Sequence, residues 1–182
     1  RDLPFVFDNE KWAHPITLRP FRIAKAPVTN AEFAAFVDGG GYRDRRHWSE
    51  EGWAWQTAAE AEHPVHWERS GSAWHCRRFD ATAPLEPHHP VMHVSWHEEE
   101  AYCQWAGRRL PTEEEWEVAA AGIKQLTFER ANLDGRLGGF ADVGAFPGGD
   151  SALGCRQMIG NVWEWTASKF RPYPGFVVEV RY

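Results

Sequence analysis

The sequence predicts one α+β domain with little regular secondary structure, in which short helices and short strands are joined by long loops. Three observations predict it. A chain of 182 residues is long enough for a single core that buries roughly two-thirds of its unfolded surface. Three separate Ser or Thr residues are each followed three positions later by Glu, the pattern that starts a helix. The 11 Trp far exceed ordinary usage, and each offers a large apolar surface with one N–H donor, so most are expected to be core anchors for irregular segments.

The elements follow in chain order. Residues 16–23 alternate in polarity well enough to predict a strand pair or a bent strand. Thr29 and Glu32 then start a first helix, because hydroxyl and carboxylate satisfy free backbone N–H groups reciprocally. Phe33, Phe36 and Val37 give it an apolar face, and Gly39-Gly40-Gly41 ends it. Residues 90–94 read as a short apolar strand leading into a second helix, which starts at Ser95 with Glu98. That helix carries Ala101, Tyr102 and Trp105 on one side and stops at Gly107, with Arg108 and Arg109 beside its negative end. A third helix runs from Glu113 to about Ala121 behind Thr112 and Glu115, and stops at Gly122. Its Glu113, Glu114 and Glu115 sit at the positive end of the helix and read as capping charge rather than as catalytic groups. Residues 135–154 are Gly-rich and aperiodic, a long loop of the kind that is functional or disordered.

Composition excludes several classes. A net charge of −6 leaves no basic stripe for nucleic acid or for an anionic membrane surface. No apolar stretch is long enough to span a bilayer. The N-terminus lacks a start Met and a signal-peptide pattern, and reads as cut from a longer chain. Cys76, Cys103 and Cys155 are odd in number and without a CxxC pair, which argues against a disulfide framework or a zinc ribbon and for a reducing, cytoplasmic setting.

Three blocks in order carry a family resemblance: KAPVTNAEFAAFV at 25–37, HPVMHVSWHEEEAYCQWAGRRLPTEEEWEVAAAG at 89–122 and GCRQMIGNVWEWTAS at 154–168. Together they resemble the formylglycine-generating-enzyme-like (sulfatase-modifying factor) superfamily over almost the entire chain. The resemblance implies that superfamily's α+β fold, distantly related in shape to C-type lectins, with the two middle-block helices near a small twisted sheet. Further segments are similar to the C-terminal domain of ergothioneine sulfoxide synthases and selenoneine synthases: FDNEKWAHPI at 7–16, GGGYRDRRHWSEEGWAWQ at 39–56, HPVHWER at 63–69, ANLDG at 131–135 and FRPYPGF at 170–176. By that resemblance the parent enzyme is a non-haem iron oxidoreductase. It uses O2 to join a thiol or selenosugar donor to the imidazole of hercynine, which is trimethylated histidine. Its Fe(II) ligands lie in a separate N-terminal DinB-like domain, so residues 1–182 alone are expected to be inactive. Two other readings stand: a formylglycine-generating oxidase, whose copper needs a Cys pair after the Trp-Glu-Trp run, and a non-enzymatic ligand-binding module.

Candidate site residues come next. His63, His66, His88, His89, His93 and His97 are metal ligands by type, but the Ser95 cap puts His93 ahead of the helix, so His93 and His97 do not share a helical face. A local iron site stands against the plainer reading, in which His93 packs beside a strand and His63 and His66 sit in surface loops. The resemblance makes Gln157, Gly160, Val162 and Glu164 the positions of a Ca2+ site, with a second near Asn132 and Leu133. Gln157 departs from the family's Asn or Asp and weakens a site with a single carboxylate. The competing reading has Glu164 accepting backbone N–H bonds to pin its loop. Arg171, Tyr173 and Phe176 are the substrate-binding candidates, since aromatic faces hold a trimethylammonium group by cation–π attraction; an interdomain contact is the equal alternative. Tyr182 is the catalytic candidate, a proton donor or redox participant by resemblance.

Overall fold

The structure, a computed structural model, describes residues 6–123 and 127–179. Among these residues the elements run α1 (Asn30–Asp38), α2 (Glu50–Ala59), β1 (Trp67–Ser70), β2 (Ala73–Arg78), β3 (Ala81–Pro84), α3 (Trp96–Trp105) and α4 (Glu113–Ala120). The three predicted helices are α1, α3 and α4, and each has its reciprocal cap. Thr29 Oγ1 accepts from the Glu32 N–H at 3.2 Å while the Glu32 carboxylate accepts from the Thr29 N–H at 2.9 Å. Ser95 with Glu98 and Thr112 with Glu115 repeat the arrangement.

Helix α2 is not legible by the same rule. Ser49 caps it by accepting from the Gly52 N–H, but glycine in that position has no carboxylate to return the bond. The remaining signals are Ser49 itself and the acidic pair Glu50 and Glu51 in the first turn.

Both predicted strands need correction. Residues 16–23 form no strand: Pro20 interrupts the alternation, and no segment among the described residues pairs with them. At 90–94 only an isolated bridge from Pro90 to Thr29 forms, and His93 breaks the extended run with φ +58°. The sheet lies instead in residues 67–84, an antiparallel meander in the order β1-β2-β3. Ser70 faces Ala73 and Arg78 faces Ala81, so each hairpin turns through two residues, with Gly71 and Phe79 at positive φ as such turns require.

The main core is aromatic and is shared by α1, α3, β1 and the turn after α1. Phe33 stacks on Tyr102 at 5.4 Å between centroids and meets Trp67 of β1 edge-on at 6.1 Å. Phe36, Tyr42 and Trp48 complete it. Gly41 is required here, since a Cβ would lie 2.0 Å from the Phe36 ring. Of the Trp residues, Trp48 and Trp67 are buried and Trp53, Trp55, Trp74 and Trp96 pack against them part-buried, as the Trp excess predicted. Trp12, Trp163 and Trp165 are exposed. A smaller cluster of Ala119, Cys155 and Met158 joins α4 to the loop that follows residue 154.

Candidate functional site

Residues 154–168 run from the 135–154 loop across the starts of α3 and α4. The first half is held by amide side chains. The Asn161 carbonyl accepts from Asn132 Nδ2 at 3.0 Å and from the Ala141 N–H at 2.9 Å, and its Nδ2 donates to Ala141 O and to Gln157 Oε1. Gln157 Nε2 donates to Asp142 O at 2.6 Å and to Ala145 O at 3.2 Å. Gly160 sits at φ +80° with its α-carbon against the Asn132 carbonyl, where a Cβ would come within 2.6 Å. That close approach lets the Asn161 N–H donate to Asn132 O at 2.9 Å.

The second half is held by indoles. Trp165 Nε1 donates to Val94 O at 3.1 Å and Trp96 Nε1 to Thr166 O at 2.9 Å. Trp116 Nε1 of α4 donates to the Glu164 carboxylate. The Glu113 N–H at the start of α4 donates to Ser168 Oγ at 2.9 Å. Burial raises the Glu164 pKa, opposed by the Trp116 hydrogen bond.

These partners bear on the four calcium positions. The Gln157 amide is spent on Asp142, Ala145 and Asn161, and the Gly160 carbonyl accepts from the Val162 N–H at 2.8 Å. Glu164 accepts from an indole donor, the Trp116 Nε1–H. The Gln157 amide and the Gly160 carbonyl are thus engaged within the protein, and Glu164 is the one carboxylate among the four positions. Glu164 does tie down its loop, through a side-chain indole rather than through backbone N–H groups. At the second position Asn132 Nδ2 donates to Gly139 O and to Asn161, while its Oδ1, the atom that could face a cation, is buried without a hydrogen-bond partner among the described residues.

The histidines do not converge. Among the described residues no three His, Cys, Asp or Glu side chains come together as a metal-binding group. His66 and His93 meet edge-on at 4.9 Å, His63 packs on Trp74, and His97 packs on Trp55. The His93 pKa is lowered by burial, then by His66 and Arg78.

Arg171, Tyr173 and Phe176 lie on a segment docked against the N-terminal stretch. The Tyr173 N–H donates to Asn9 O at 2.8 Å, and its ring meets His14 edge-on at 5.0 Å. Farther along, Glu179 pairs with Lys11 at 2.6 Å, and its N–H donates to Asp8. Burial raises the Tyr173 pKa, followed by the charges of Glu113, Glu117, Glu10 and Glu114, which places this phenol in acidic surroundings. Arg171 and Phe176 are exposed. Tyr182 lies outside the described residues.

Sequence reasoning missed the cleft beside this loop. It has a volume of about 1090 Å3, and Glu99 of α3, Cys103, Trp116 and Glu164 line it. Burial, then Glu164, then Glu98, pushes the Glu99 pKa up to about 7, and burial followed by Glu99 raises the Cys103 thiol to about 11. Glu99 and Cys103 are four residues apart on one helical face, the available signal.

The profile of the sulfatase-modifying factor enzyme 1-like domain family matches residues 2–181, and the chain belongs to that family. It is 46% identical over 188 residues to a protein named hercynine oxygenase from Mycolicibacterium thermoresistibile, covering 96% of this chain and 42% of that one. Identity to the hercynine oxygenase of Mycobacterium tuberculosis is 46%, over 97% of this chain and 44% of the relative. A formylglycine-generating enzyme from Mycobacterium tuberculosis is 31% identical, over 92% of this chain and 70% of its own length. The chain thus spans less than half the length of the hercynine oxygenases it matches.

Proposed function

We propose that this member of the family is the substrate-binding domain of a longer, O2-dependent enzyme that joins a sulfur or selenium donor to the imidazole of hercynine. The observation that carries the reading is the 44–46% identity to hercynine oxygenases along nearly the whole chain, against 31–35% to formylglycine-generating enzymes. The imidazole C–H and the donor S–H or Se–H each give up hydrogen as the new bond forms, and O2 is the electron acceptor.

In this reading Fe(II) supplies O2 activation, and its ligands are assigned to a preceding DinB-like domain. The part assigned to this chain is recognition. Tyr173 offers an aromatic face among Glu10, Glu113, Glu114 and Glu117, surroundings suited to a trimethylammonium group. Arg171, exposed two residues earlier, is assigned to the substrate carboxylate. Tyr182 is assigned the proton-donor role. A cytoplasmic setting goes with this reading.

Calorimetric titration of the longer protein with hercynine and with histidine tests the recognition step. Hercynine should bind tighter than histidine, and Tyr173→Ala should weaken hercynine about tenfold while leaving histidine nearly unchanged. Equal affinity for the two ligands would remove Tyr173 from the site.

A further inference from the structure

Two histidines from distant parts of the chain meet one residue away from an anchor of the 154–168 loop. His93 lies in the turn that leads into α3, at φ +58°, and the next residue, Val94, accepts the Trp165 indole N–H at 3.1 Å. His66 stands immediately ahead of β1, where its carbonyl accepts from the Arg77 N–H of β2 at 2.8 Å. The two rings touch edge-on at 4.9 Å between centroids, so the pair joins the sheet to the turn that holds Trp165. His89 and His97, on either side, face Asp142 and Trp55 instead. None of these imidazoles belongs to a metal-binding group among the described residues.

The surroundings favour neutral rings. His66 Nδ1 is enclosed without a hydrogen-bond partner among the described residues, so a proton placed on it would have no acceptor. The charged groups acting on His93 are His66, from ahead of β1, and Arg78, from the end of β2; no carboxylate is among them. Burial, then these two neighbours, hold the His93 pKa below its ordinary 6.5.

We propose that the His66–His93 contact is an acid-sensitive latch on the 154–168 loop, closed while both rings are neutral. Protonation drives the His93 turn off the sheet and frees the Trp165 indole from Val94 O. A proton on His93 adds a second cation to the one Arg78 carries, with no carboxylate to balance it, and a proton on His66 as well adds mutual repulsion. A histidine with a lowered folded pKa contributes stability that is present above its ordinary value of 6.5 and is lost as pH falls below it. The latch is therefore closed at neutral pH and opens on the acid side. The turn itself assists the opening, because a left-handed φ at a residue other than glycine persists only while its surroundings fix it. The proposal does not rest on the hercynine reading, and a failed coupling assay leaves it standing.

Nuclear magnetic resonance across pH provides the test. The His93 ring should titrate with a midpoint below 6.5. Between about pH 7.5 and about pH 5.5 the Trp165 indole N–H should lose at least about tenfold in exchange protection. The Trp48 indole, bonded to Gly41 O in the core, should keep its own over the same range. His93→Asn, which suits a positive φ and carries no titrating group, should abolish the Trp165 loss. His66→Gln, outside the strained turn, removes the ring that His93 touches; it should raise the His93 midpoint towards 6.5 and cut the loss to less than about threefold. A His93 midpoint at or above 6.5, an unchanged Trp165 indole, or a full loss in either variant overturns the proposal. So does an equal loss at Trp48, which would mark acid unfolding of the whole domain.

Discussion

The Trp116 indole on α4 donates its N–H to the Glu164 carboxylate, joining a capped helix to the loop that crosses its start. Trp116→Phe keeps the ring packed and removes the donor, leaving a part-buried carboxylate without its partner. Chemical denaturation should show a loss of about 1–3 kcal/mol. A loss within error of zero would mean that the loop is held by Trp165, Trp96 and Ser168 alone.

Gly160 tests the amide network on the other half of the loop. Gly160→Ala would force a Cβ within 2.6 Å of the Asn132 carbonyl at φ +80°, so the substitution should cost about 1–3 kcal/mol or more. Gly148→Ala, where a Cβ meets nothing within 4 Å, is the control and should be near neutral.

Acid stability should carry the signature of Arg109 and Glu115. Arg109 donates to both Glu115 oxygens, at 2.7 and 2.6 Å, and these bonds hold the Glu115 carboxyl down at about 2. A carboxyl depressed in the folded state contributes stability above its ordinary value near 4.5, and loses it as pH falls towards 2. Arg109→Leu should flatten the stability curve in that window, as followed by urea unfolding across pH.

Glu99 should act in the opposite direction. Its pKa is raised to about 7, so the folded state holds the proton more tightly and the 182-residue chain loses stability as pH climbs from about 4.5 to 7. Glu99→Gln should abolish that decline while leaving stability near pH 4 unchanged.

The helix starts were legible because a capping box is local chemistry, complete within four residues, as at Thr29, Ser95 and Thr112. Helix α2 escaped because Gly52 stands where the returning carboxylate belongs. The sheet escaped because strand pairing depends on a partner: residues 16–23 alternate but have none among the described residues, whereas β1 and β2 are joined by a two-residue turn with Gly71. The Trp116–Glu164 bond spans 48 residues, and no spacing rule reaches that far. Tyr173 was singled out for its aromatic loop, but its acidic neighbours on α4 became visible only in three dimensions.

Oxidative coupling to hercynine is tested with the longer protein itself. The longer protein, given Fe(II), hercynine and O2, is offered cysteine, γ-glutamylcysteine or a selenosugar in turn, with products read by mass spectrometry. One donor should yield a product with sulfur or selenium bonded to the hercynine imidazole, and none should form without O2. No coupled product from any donor would contradict it.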